Sequence, residues 1–436
     1  MTLLKLLERS RRDPALIQDD SAFNRERLLD EIARLRLKLG SHQRVMVASS
    51  EAITVIAAMA ACESLDLSLW IGHKFSGPSA LDEIARSQQI EIRVGDAREI
   101  TTLDRTASAS VADGLSVHIM TSGTTGTPKI ARHSLEALMG RVHVGAMFTG
   151  TWLLTYPPST FAGVQVLLAA VASNSTLVAY NSPSVPALAG ALSQYGITHA
   201  SGTPTFWRAA LMALPLSSRV SRLQQITIGG ELVDQPLLDR LSERFPNARI
   251  THIYASTEAG ALFSVKDKRA GFPADWLSRN IDGVALRIRN GLFEVRSPRN
   301  MRLYASGHAS PFTEDGWLMT GDRVQVKGDR VYFAGRADNV INIGGAKVVP
   351  EEVEKVVLGV KGVVDVCVTG AKNALTGFVL KAEVVPDPEI DKHLLRRNIA
   401  QHCHSLLPAH MVPRIIVMVE QLRVSAAGKK SGGGVA

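Results

Sequence analysis

Residues 119–129 read Ile119-Met-Thr-Ser-Gly-Thr-Thr-Gly-Thr-Pro-Lys129, so that an apolar run leads directly into a turn rich in glycine and hydroxyl groups. Glycines let such a backbone adopt positive φ and approach an anion, while the hydroxyls and a final lysine supply donors and charge. The alternative is a plain surface turn, but this density of hydroxyls with a lysine favours a loop that holds polyphosphate. The spacing is not that of a Walker loop, because Pro128 precedes the lysine. The predicted members of the loop are Thr121, Ser122, Gly123, Thr124, Thr125, Gly126, Thr127 and Lys129.

Length and composition predict a globular enzyme of two or more domains, because 436 residues exceed what one core usually fills and 45% of them are hydrophobic. The net charge of +8 is spread along the chain, which favours a solvated basic surface that attracts polyanions over a nucleic-acid site. Cys62, Cys367 and Cys403 are isolated, so we expect neither disulfides nor zinc, and a reducing cytoplasm. The longest apolar stretch, 161–172, is too short for a membrane span.

Alternating apolar runs and helical periodicity predict an α/β fold with largely parallel, covered sheets. Residues 26–39 and 236–245 have helical spacing, whereas 44–49 and 226–231 resemble buried strands. Short β runs between 283 and 333 predict a small antiparallel or barrel-like piece. Helical patterning then returns, so we place a large N-terminal domain at residues 1–335 and a smaller C-terminal α+β domain at 336–436.

Four further segments accompany the loop in a fixed order. They are Ile226-Thr-Ile-Gly-Gly-Glu231, Ile253-Tyr-Ala-Ser-Thr-Glu-Ala-Gly260, Trp317-Leu-Met-Thr-Gly-Asp322 and Gly335-Arg-Ala-Asp-Asn-Val-Ile-Asn-Ile-Gly-Gly-Ala-Lys347. Leu407-Pro-Ala-His-Met-Val-Pro413 and Val424-Ser-Ala-Ala-Gly-Lys429 follow near the C-terminus. Together with the loop, these segments resemble the motifs of the adenylate-forming superfamily, which includes acyl-CoA synthetases, peptide-synthetase adenylation domains and luciferases. The resemblance extends from about residue 45 to 430, although the region before the loop and residues 260–310 are compact for the family.

The resemblance implies a nucleotide site. Tyr254 would stack on adenine, Thr257 would bind the α-phosphate and Glu258 would help to hold Mg²⁺. Asp322 would accept both ribose hydroxyls, with Arg336 also at the ribose. Residues that would border the nucleotide are Gly229, Gly230, Glu231, Ala255, which replaces the usual glycine, and Ser256.

The C-terminal motifs imply a mobile domain. Lys429 would be the catalytic lysine, although Lys430 beside it leaves the register ambiguous. Asp338 would be the hinge, and a hairpin over 340–349 would border a thiol channel through Gly344, Gly345 and Lys347. In the family, rotation about the hinge withdraws the lysine and presents the hairpin.

The acyl pocket is predicted to accept a carboxylic acid that is not an α-amino acid. Amino-acid-loading members of the family place an aspartate near the start of the helix after strand 153–156, and residues 151–180 contain no acidic side chain. Alignment puts Thr160 at that position. The predicted lining is Thr160, Phe161, Ser201, Gly202 and Thr203, with simple packing of the sheet as the alternative.

The resulting prediction is an AMP-forming acid–thiol ligase that uses ATP, Mg²⁺ and coenzyme A. An acyl carrier protein or an amine as the acyl acceptor remains open, as does a homodimer. A catalytically dead scaffold protein is the competing class, but it predicts loss of Thr257, Glu258, Asp322 or the terminal lysine, and all four are present.

Overall fold

The computed structural model describes residues 2–40, 42–72, 78–103, 114–121, 129–142, 148–215, 222–343, 345–373, 377–425 and 429–431. The helices within them are α1 Leu3–Arg9, α2 Arg25–Leu39, α3 Ala52–Leu65, α4 Pro78–Ser87, α5 Leu135–Met139, α6 Phe161–Ala172, α7 Val185–Gln194, α8 Pro204–Ala213, α9 Gln235–Arg244, α10 Pro350–Leu358 and α11 Lys392–Leu406. The strands of the first half are β1 Leu16–Gln18, β2 Ser21–Phe23, β3 Arg44–Val47, β4 Ser68–Ile71, β5 Ile92–Val94, β6 Ile100–Thr102, β7 Val117–Thr121, β8 Lys129–His133, β9 Thr151–Leu154, β10 Thr176–Ala179, β11 His199–Gly202 and β12 Gln225–Ile228. Those of the second half are β13 Arg249–Ser256, β14 Gly260–Val265, β15 Phe272–Pro273, β16 Ala285–Arg289, β17 Leu292–Arg296, β18 Leu303–Tyr304, β19 Leu318–Lys327, β20 Arg330–Arg336, β21 Ile341–Ile343, β22 Ala346–Val348, β23 Val363–Asn373, β24 Gly377–Pro386 and β25 Ile415–Met418.

Two large sheets with parallel centres organise the N-terminal part of the chain. One has the order β14-β13-β12-β11-β9-β10-β1-β2, and the other has the order β18-β8-β7-β4-β3-β5-β6. Strands β13, β12, β11, β9, β10 and β1 pair in parallel, whereas β14 and β2 close that sheet with antiparallel edges. This arrangement places the carboxyl ends of β9, β11, β12 and β13 along one edge, which is where open α/β sheets bind ligands.

Helix α3 explains how the sheets are held together. Its residues from Ala52 to Cys62 are all buried, and they belong to one core cluster with residues of β3, β4, β9, β10 and α6. A helix that is apolar all round must be covered on all sides. Small side chains such as Ala57, Ala58, Ala60 and Ala61 let the neighbouring layers approach it closely.

A five-stranded antiparallel sheet, β15-β20-β19-β17-β16, follows the large sheets. Its core is aromatic, with Phe272 and Phe293 fully buried and their ring centroids 5.5 Å apart. The Thr-Gly-Asp sequence lies inside β19, not in a simple turn: Gly321 has a φ of +77°, and the pairing with β20 shifts between Asp322 and Val324. Asp322 keeps its pairing with Arg336, and the ladder is bulged directly after it.

The C-terminal segments form a hairpin and a small α+β unit. β21 and β22 make the hairpin, and β23-β24-β25 form a three-stranded sheet that packs with α10 and α11 through Val353, Val357, Leu395 and Ile399. The predicted boundary at 335/336 falls on the last residues of β20; the division into two domains stays a prediction.

The predicted fold class is confirmed: a large part made of mostly parallel sheets with helices and a barrel-like sheet precedes a smaller α+β part. Predicted and observed elements differ mainly at their ends. Helix α6, for example, begins at Phe161 because the Thr160 hydroxyl caps it by accepting from the Gly163 N–H. The three cysteines are buried and carry free thiols. In the part of the chain that the structure describes, none of the helices combines the length and apolarity needed to cross a bilayer.

Candidate active site

The predicted phosphate loop connects two paired strands. Thr121 ends β7 and pairs with Lys129, which begins β8. Ser122, Gly123, Thr124, Thr125, Gly126 and Thr127 lie outside the described residues. The Lys129 ammonium lies 5.4 Å from the centroid of the Tyr304 ring, an arrangement that allows a cation–π contact.

Gly229 and Gly230 follow β12 at the edge where the parallel strands end. A Cβ on Gly229 would lie 2.8 Å from Cγ1 of Ile253, so a larger residue does not fit there. Gly230 has a φ of +87°, which favours glycine. The buried Tyr156 hydroxyl donates to the Gly229 carbonyl at 3.4 Å. These contacts fix the backbone on which the nucleotide is expected to lie.

Glu231 has a different surrounding from the one expected for a nucleotide contact. Its Oε2 accepts from both the backbone N–H and the hydroxyl of Thr205, at 3.1 and 2.9 Å. Its Oε1 accepts from the backbone N–H of Lys430 at 2.5 Å. Glu231 therefore joins the start of α8 to the C-terminal tail.

Asp322 lies at the centre of a polar cluster with Tyr254, Arg336 and Asp338. The Tyr254 hydroxyl donates to Oδ2 of Asp322, and Arg336 donates to Oδ1 at 3.3 Å. Arg336 also donates to both oxygens of Asp338, at 2.9 and 3.2 Å. Burial raises the pKa of Asp322, while Tyr254 and Arg336 favour its charged form. A carboxylate has about four acceptor positions, so Asp322 retains capacity for hydroxyl donors.

The ring of Tyr254 is packed against other aromatic rings. It is nearly parallel to Phe333, with centroids 4.7 Å apart, and to Phe263, at 5.5 Å. Stacking of Tyr254 on adenine stays a prediction, and it would require the nucleotide to share this aromatic cluster. Ala255 follows at a register shift in β13, and the Ser256 hydroxyl accepts from the Ala259 N–H at 3.0 Å.

Thr257 and Glu258 lie in the turn between β13 and β14, where two other residues hold them. The Nε2–H of the buried His133 donates to the Thr257 carbonyl at 2.7 Å, because a carbonyl can only accept. The Tyr304 hydroxyl donates to Oε1 of Glu258 at 2.9 Å. Burial lowers the pKa of His133 to about 4, so this histidine is neutral near pH 7. Both residues of the turn are half-buried beside the strand that carries Lys129.

Lys429 reaches this region from the end of the chain. Its Cε lies 3.7 Å from the position of a Cβ on Gly230. Its positive charge opposes the effect of burial on Asp322 and so lowers the pKa of that carboxyl. The lysine predicted to be catalytic thus lies against the glycine pair, and its charge acts on the polar cluster.

The predicted acyl-pocket residues gather at the ends of β9 and β11, but two of their hydroxyls already cap helices. Thr160 caps α6 and also donates to the Pro157 carbonyl at 2.8 Å, and Thr203 caps α8 by accepting from the Phe206 N–H at 3.0 Å. Phe161 and Ser201 are buried. A Cβ on Gly202 would clash with the Phe206 ring. Their contact with an acyl group stays a prediction.

Of the predicted thiol-channel residues, Gly345 lies at the tip of the β21–β22 hairpin and Lys347 lies in β22, paired with Asn342. Gly345 has a φ of +90°, and its N–H donates to the Asn342 side chain at 2.9 Å. Lys347 is exposed, and Gly344 lies outside the described residues. This geometry makes the tip available to a ligand.

Three residues at the site were missed by the sequence reasoning: His133, Tyr156 and Tyr304. His133 follows the phosphate loop on β8, so its position four residues after Lys129 on a strand was a usable signal. Tyr304 lies in a two-residue strand paired with β8, and Tyr156 follows β9. Neither of these tyrosines has a local pattern that marks it.

A family model described as AMP-binding enzyme matches residues 41–290, and one described as AMP-binding enzyme C-terminal domain matches residues 352–429. The chain is 27% identical over 363 residues to a probable non-canonical nonribosomal peptide synthetase, CymA, of Salinispora arenicola; the alignment covers 76% of this chain and 4% of CymA. It is 26% identical over 337 residues to 4-coumarate–CoA ligase-like 4 of Oryza sativa subsp. japonica, which covers 71% of this chain and 60% of the rice protein.

The chain thus spans less than two thirds of the length of both of these curated relatives. Among solved structures, an anthranilate CoA ligase, AuaEII, in complex with anthranoyl-AMP has a TM-score of 0.79 at 20% identity, over 99% of this chain and 95% of that one. That likeness shows a common fold. Because the first family model covers more than half of the 436 residues, this chain belongs to the AMP-binding enzymes of the adenylate-forming superfamily.

Proposed function

We propose that this protein is an AMP-forming acid–thiol ligase. It activates a carboxylic acid that is not an α-amino acid with ATP, releases pyrophosphate, and transfers the acyl group from the acyl-adenylate to the thiol of coenzyme A. The observation that carries the proposal is the position of Lys429, whose side chain reaches Gly230 from a different part of the chain and whose charge acts on Asp322.

The chemistry requires activation before transfer, because an oxide leaving group makes a free carboxylate a poor acyl donor. One carboxylate oxygen attacks the α-phosphorus of ATP while the bond to pyrophosphate breaks, and no proton needs to move. Negative charge on the equatorial oxygens is then stabilised by fixed donors and cations. Lys429 and Thr257 are the groups proposed to supply this stabilisation, and His133 holds the Thr257 backbone in place.

Nucleotide binding is assigned to groups that already converge in the structure. Asp322 would accept the ribose hydroxyls, with Arg336 beside it. The loop that ends at Lys129 would hold the β- and γ-phosphates. The strand end at Gly229 and Gly230 would lie against the nucleotide, because side chains there are excluded.

Glu258 is the group that would hold Mg²⁺. Mg²⁺ is commonly bound by one or two carboxylates together with substrate phosphates, so one carboxylate next to a phosphate site fits. Within the described residues, no group of three or more His, Cys, Asp or Glu side chains could hold a metal by itself. The ion would neutralise phosphate charge when bound. Tyr304 orients the carboxylate of Glu258 for this role.

The proposed substrate class rests on the residues that follow the carboxyl end of β9. Residues 151–180 carry no acidic side chain that could pair with a substrate ammonium, and the Thr160 hydroxyl is engaged in capping α6. Buried Phe161, whose ring lies 6.0 Å from that of His133, gives this end an apolar wall. An aryl or aliphatic acid suits such a wall better than an amino acid does.

Pyrophosphate release from Mg-ATP, measured over fatty, aryl and amino acids with and without coenzyme A, tests the proposal. We expect multiple turnovers only with a non-amino acid and coenzyme A together. Release limited to one turnover regardless of coenzyme A would favour the second candidate, in which a carrier protein or an amine accepts the acyl group. The similarity to a peptide synthetase supports that candidate. No release with any acid would contradict both.

A further inference from the structure

The two adjacent lysines at the end of the tail have different surroundings. Val424 and Lys430 form an antiparallel bridge, closed by hydrogen bonds from Ser425 N–H to the Lys429 carbonyl and from Ser431 N–H to the Arg423 carbonyl, at 2.6 and 2.8 Å. Neighbouring side chains in an extended segment point to opposite faces. Lys429 accordingly extends toward Gly230, whereas Lys430 extends into the C-terminal α+β unit.

Lys430 fills a socket built from two elements of that unit. Its ammonium donates to Oε2 of Glu354 on α10 at 2.6 Å and to the Val366 carbonyl on β23 at 3.0 Å. The other carboxylate oxygen of Glu354 accepts from the Val368 N–H at 2.8 Å, which fixes the orientation of the socket. About one fifth of the Lys430 side chain is exposed, against 9% for Glu354. Burial by itself lowers the pKa of Lys430, but the carboxylates of Glu354, Asp365 and Glu231 raise it above the ordinary value.

The backbone of Lys430 binds a residue of the N-terminal part of the chain. Its N–H donates to Glu231, directly after the glycine pair, at 2.5 Å. A second buried contact also joins the N-terminal part of the chain to the C-terminal α+β unit. Arg208 of α8 lies 3.4 Å from Asp365 of β23 and also pairs with Asp234. Lys430 therefore connects the tail to both parts of the chain, through its backbone to Glu231 and through its side chain to Glu354.

We propose that Lys430 is a positioning residue: it holds the bridged tail, residues 424–425 and 429–430, between Glu354 and Glu231, so that the side chain of Lys429 is kept over the Gly230 backbone. The proposal rests on the proposed function for its catalytic consequence, but the socket itself does not depend on it. Lys430 acts in the first half-reaction only, since the thioester step does not use Lys429.

The test compares the two half-reactions. Lys430→Met removes the cation and leaves the Glu354 carboxylate buried without it. We expect acid-dependent ATP–pyrophosphate exchange to lose about 10- to 100-fold in kcat with little change in the KM for the acid, because misplacement of a catalytic group by about 1 Å has an effect of this size. Thioester formation from a supplied acyl-adenylate should stay within about 2-fold of the parent, because it bypasses Lys429. Lys392→Met, at an exposed position in the same unit, is the matched control and should match the parent in both assays.

A double variant separates positioning from chemistry. Lys430→Met with Glu354→Gln removes both charges and keeps an oxygen for the Val368 N–H, and replacing both partners of a buried pair is often tolerated where removing one is not. We expect exchange to recover at least about 5-fold over Lys430→Met alone, whereas Lys429→Ala stays inactive in every background. No recovery, or equal loss in both half-reactions, would overturn the proposal.

Amine labelling tests the socket when exchange is absent. In a short pulse of an acylating reagent followed by mass spectrometry, Lys430 of the parent should be modified far more slowly than Lys429 and Lys392, and Glu354→Gln should remove part of that protection. If none of the acids supports pyrophosphate exchange by the parent protein, the proposed function fails. The labelling pattern alone then tests whether Lys430 lies in the socket. Modification of Lys430 at the rate of Lys392 would contradict it.

Discussion

Single methyl groups matter at the strand ends of the site. The side chain of Ile253 packs against Gly229, and a Cβ added to Gly229 would lie only 2.8 Å from Cγ1 of Ile253. His133 is similarly confined: it is 1% exposed, and one nitrogen holds the Thr257 carbonyl. Residues of this kind shape the site through their packing and backbone contacts.

Gly229→Ala should destabilise the protein by roughly 1–3 kcal/mol, because inserting a methyl group into a filled space forces its neighbours to shift. Urea unfolding measures this change. The double variant Gly229→Ala with Ile253→Ala removes the clashing atom and should recover part of the loss that Gly229→Ala causes beyond Ile253→Ala alone. Strictly additive losses would show that the contact is not the cause.

His133→Phe should raise the KM for Mg-ATP and cost about 1–3 kcal/mol of stability, because the Thr257 carbonyl loses its buried donor. His133→Gln, which retains an N–H donor, is the matched variant and should be affected less. Steady-state kinetics with saturating acid provide the measurement. Equal effects of both variants on KM would contradict the role of the hydrogen bond.

At the scale of elements, the proposed two-step mechanism would depend on the link between β20 and β21. Arg336 at the end of β20 forms a hydrogen-bonded ion pair with Asp338. The hairpin β21–β22 begins three residues after Asp338. A change of backbone angles at Asp338 would move the hairpin and the tail socket together, because both lie C-terminal to it. Movement of this kind would let one cleft serve both half-reactions.

Asp338→Pro should leave adenylation largely intact and depress thiol transfer, because proline fixes φ at the proposed hinge. Asp338→Ala is the necessary control: it also removes the ion pair with Arg336 but keeps the backbone free. Pyrophosphate exchange and thioester formation are measured separately for both variants. Equal loss of the two half-reactions in Asp338→Pro, or the same profile in Asp338→Ala, would refute the hinge assignment.

The elements also show what a sequence can reveal. Helix α2 and the start of strand β12 were predicted to within one residue, because local periodicity records which face is buried, whereas β12 ends three residues before the predicted end at 231. The Thr-Gly-Asp segment lies in a ten-residue strand, and its bulge could not be predicted from the segment itself because it depends on pairing with β20. The partner of Lys430 is 76 residues away, so no local spacing could identify which lysine enters the site.

At the scale of the whole molecule, four buried histidines connect pH to stability, because burial lowers the pKa of His118, His133, His199 and His252. Burial lowers the pKa values of His118 to about 3 and of His133 and His199 to about 4, below the value of 6.5 expected in an unfolded chain. His118 stacks on Trp70 with ring centroids 4.0 Å apart, and His199 stacks on Trp152 at 4.8 Å. Their neutral forms are part of the packed core of both large sheets.

The free energy of unfolding should therefore fall as the pH is lowered from 6.5 to 5, because the unfolded chain binds protons that the folded protein does not. Each such histidine contributes about 1.4 kcal/mol per pH unit once the pH is well below 6.5. His118→Phe, which keeps an aromatic ring against Trp70, should show a shallower slope than the parent. Urea midpoints at pH 7.5, 6 and 5 measure the slopes, and identical slopes would contradict the assignment.

The central claim is that Lys429 and the polar cluster around Asp322 together activate an acid with ATP. Acid-dependent ATP–pyrophosphate exchange in the absence of any thiol, compared between the parent protein and Lys429→Ala, tests it most directly. The account predicts exchange that requires the acid and falls by about 100-fold or more in the variant, as expected when a group that stabilises transition-state charge is removed. Exchange that survives in Lys429→Ala would contradict it.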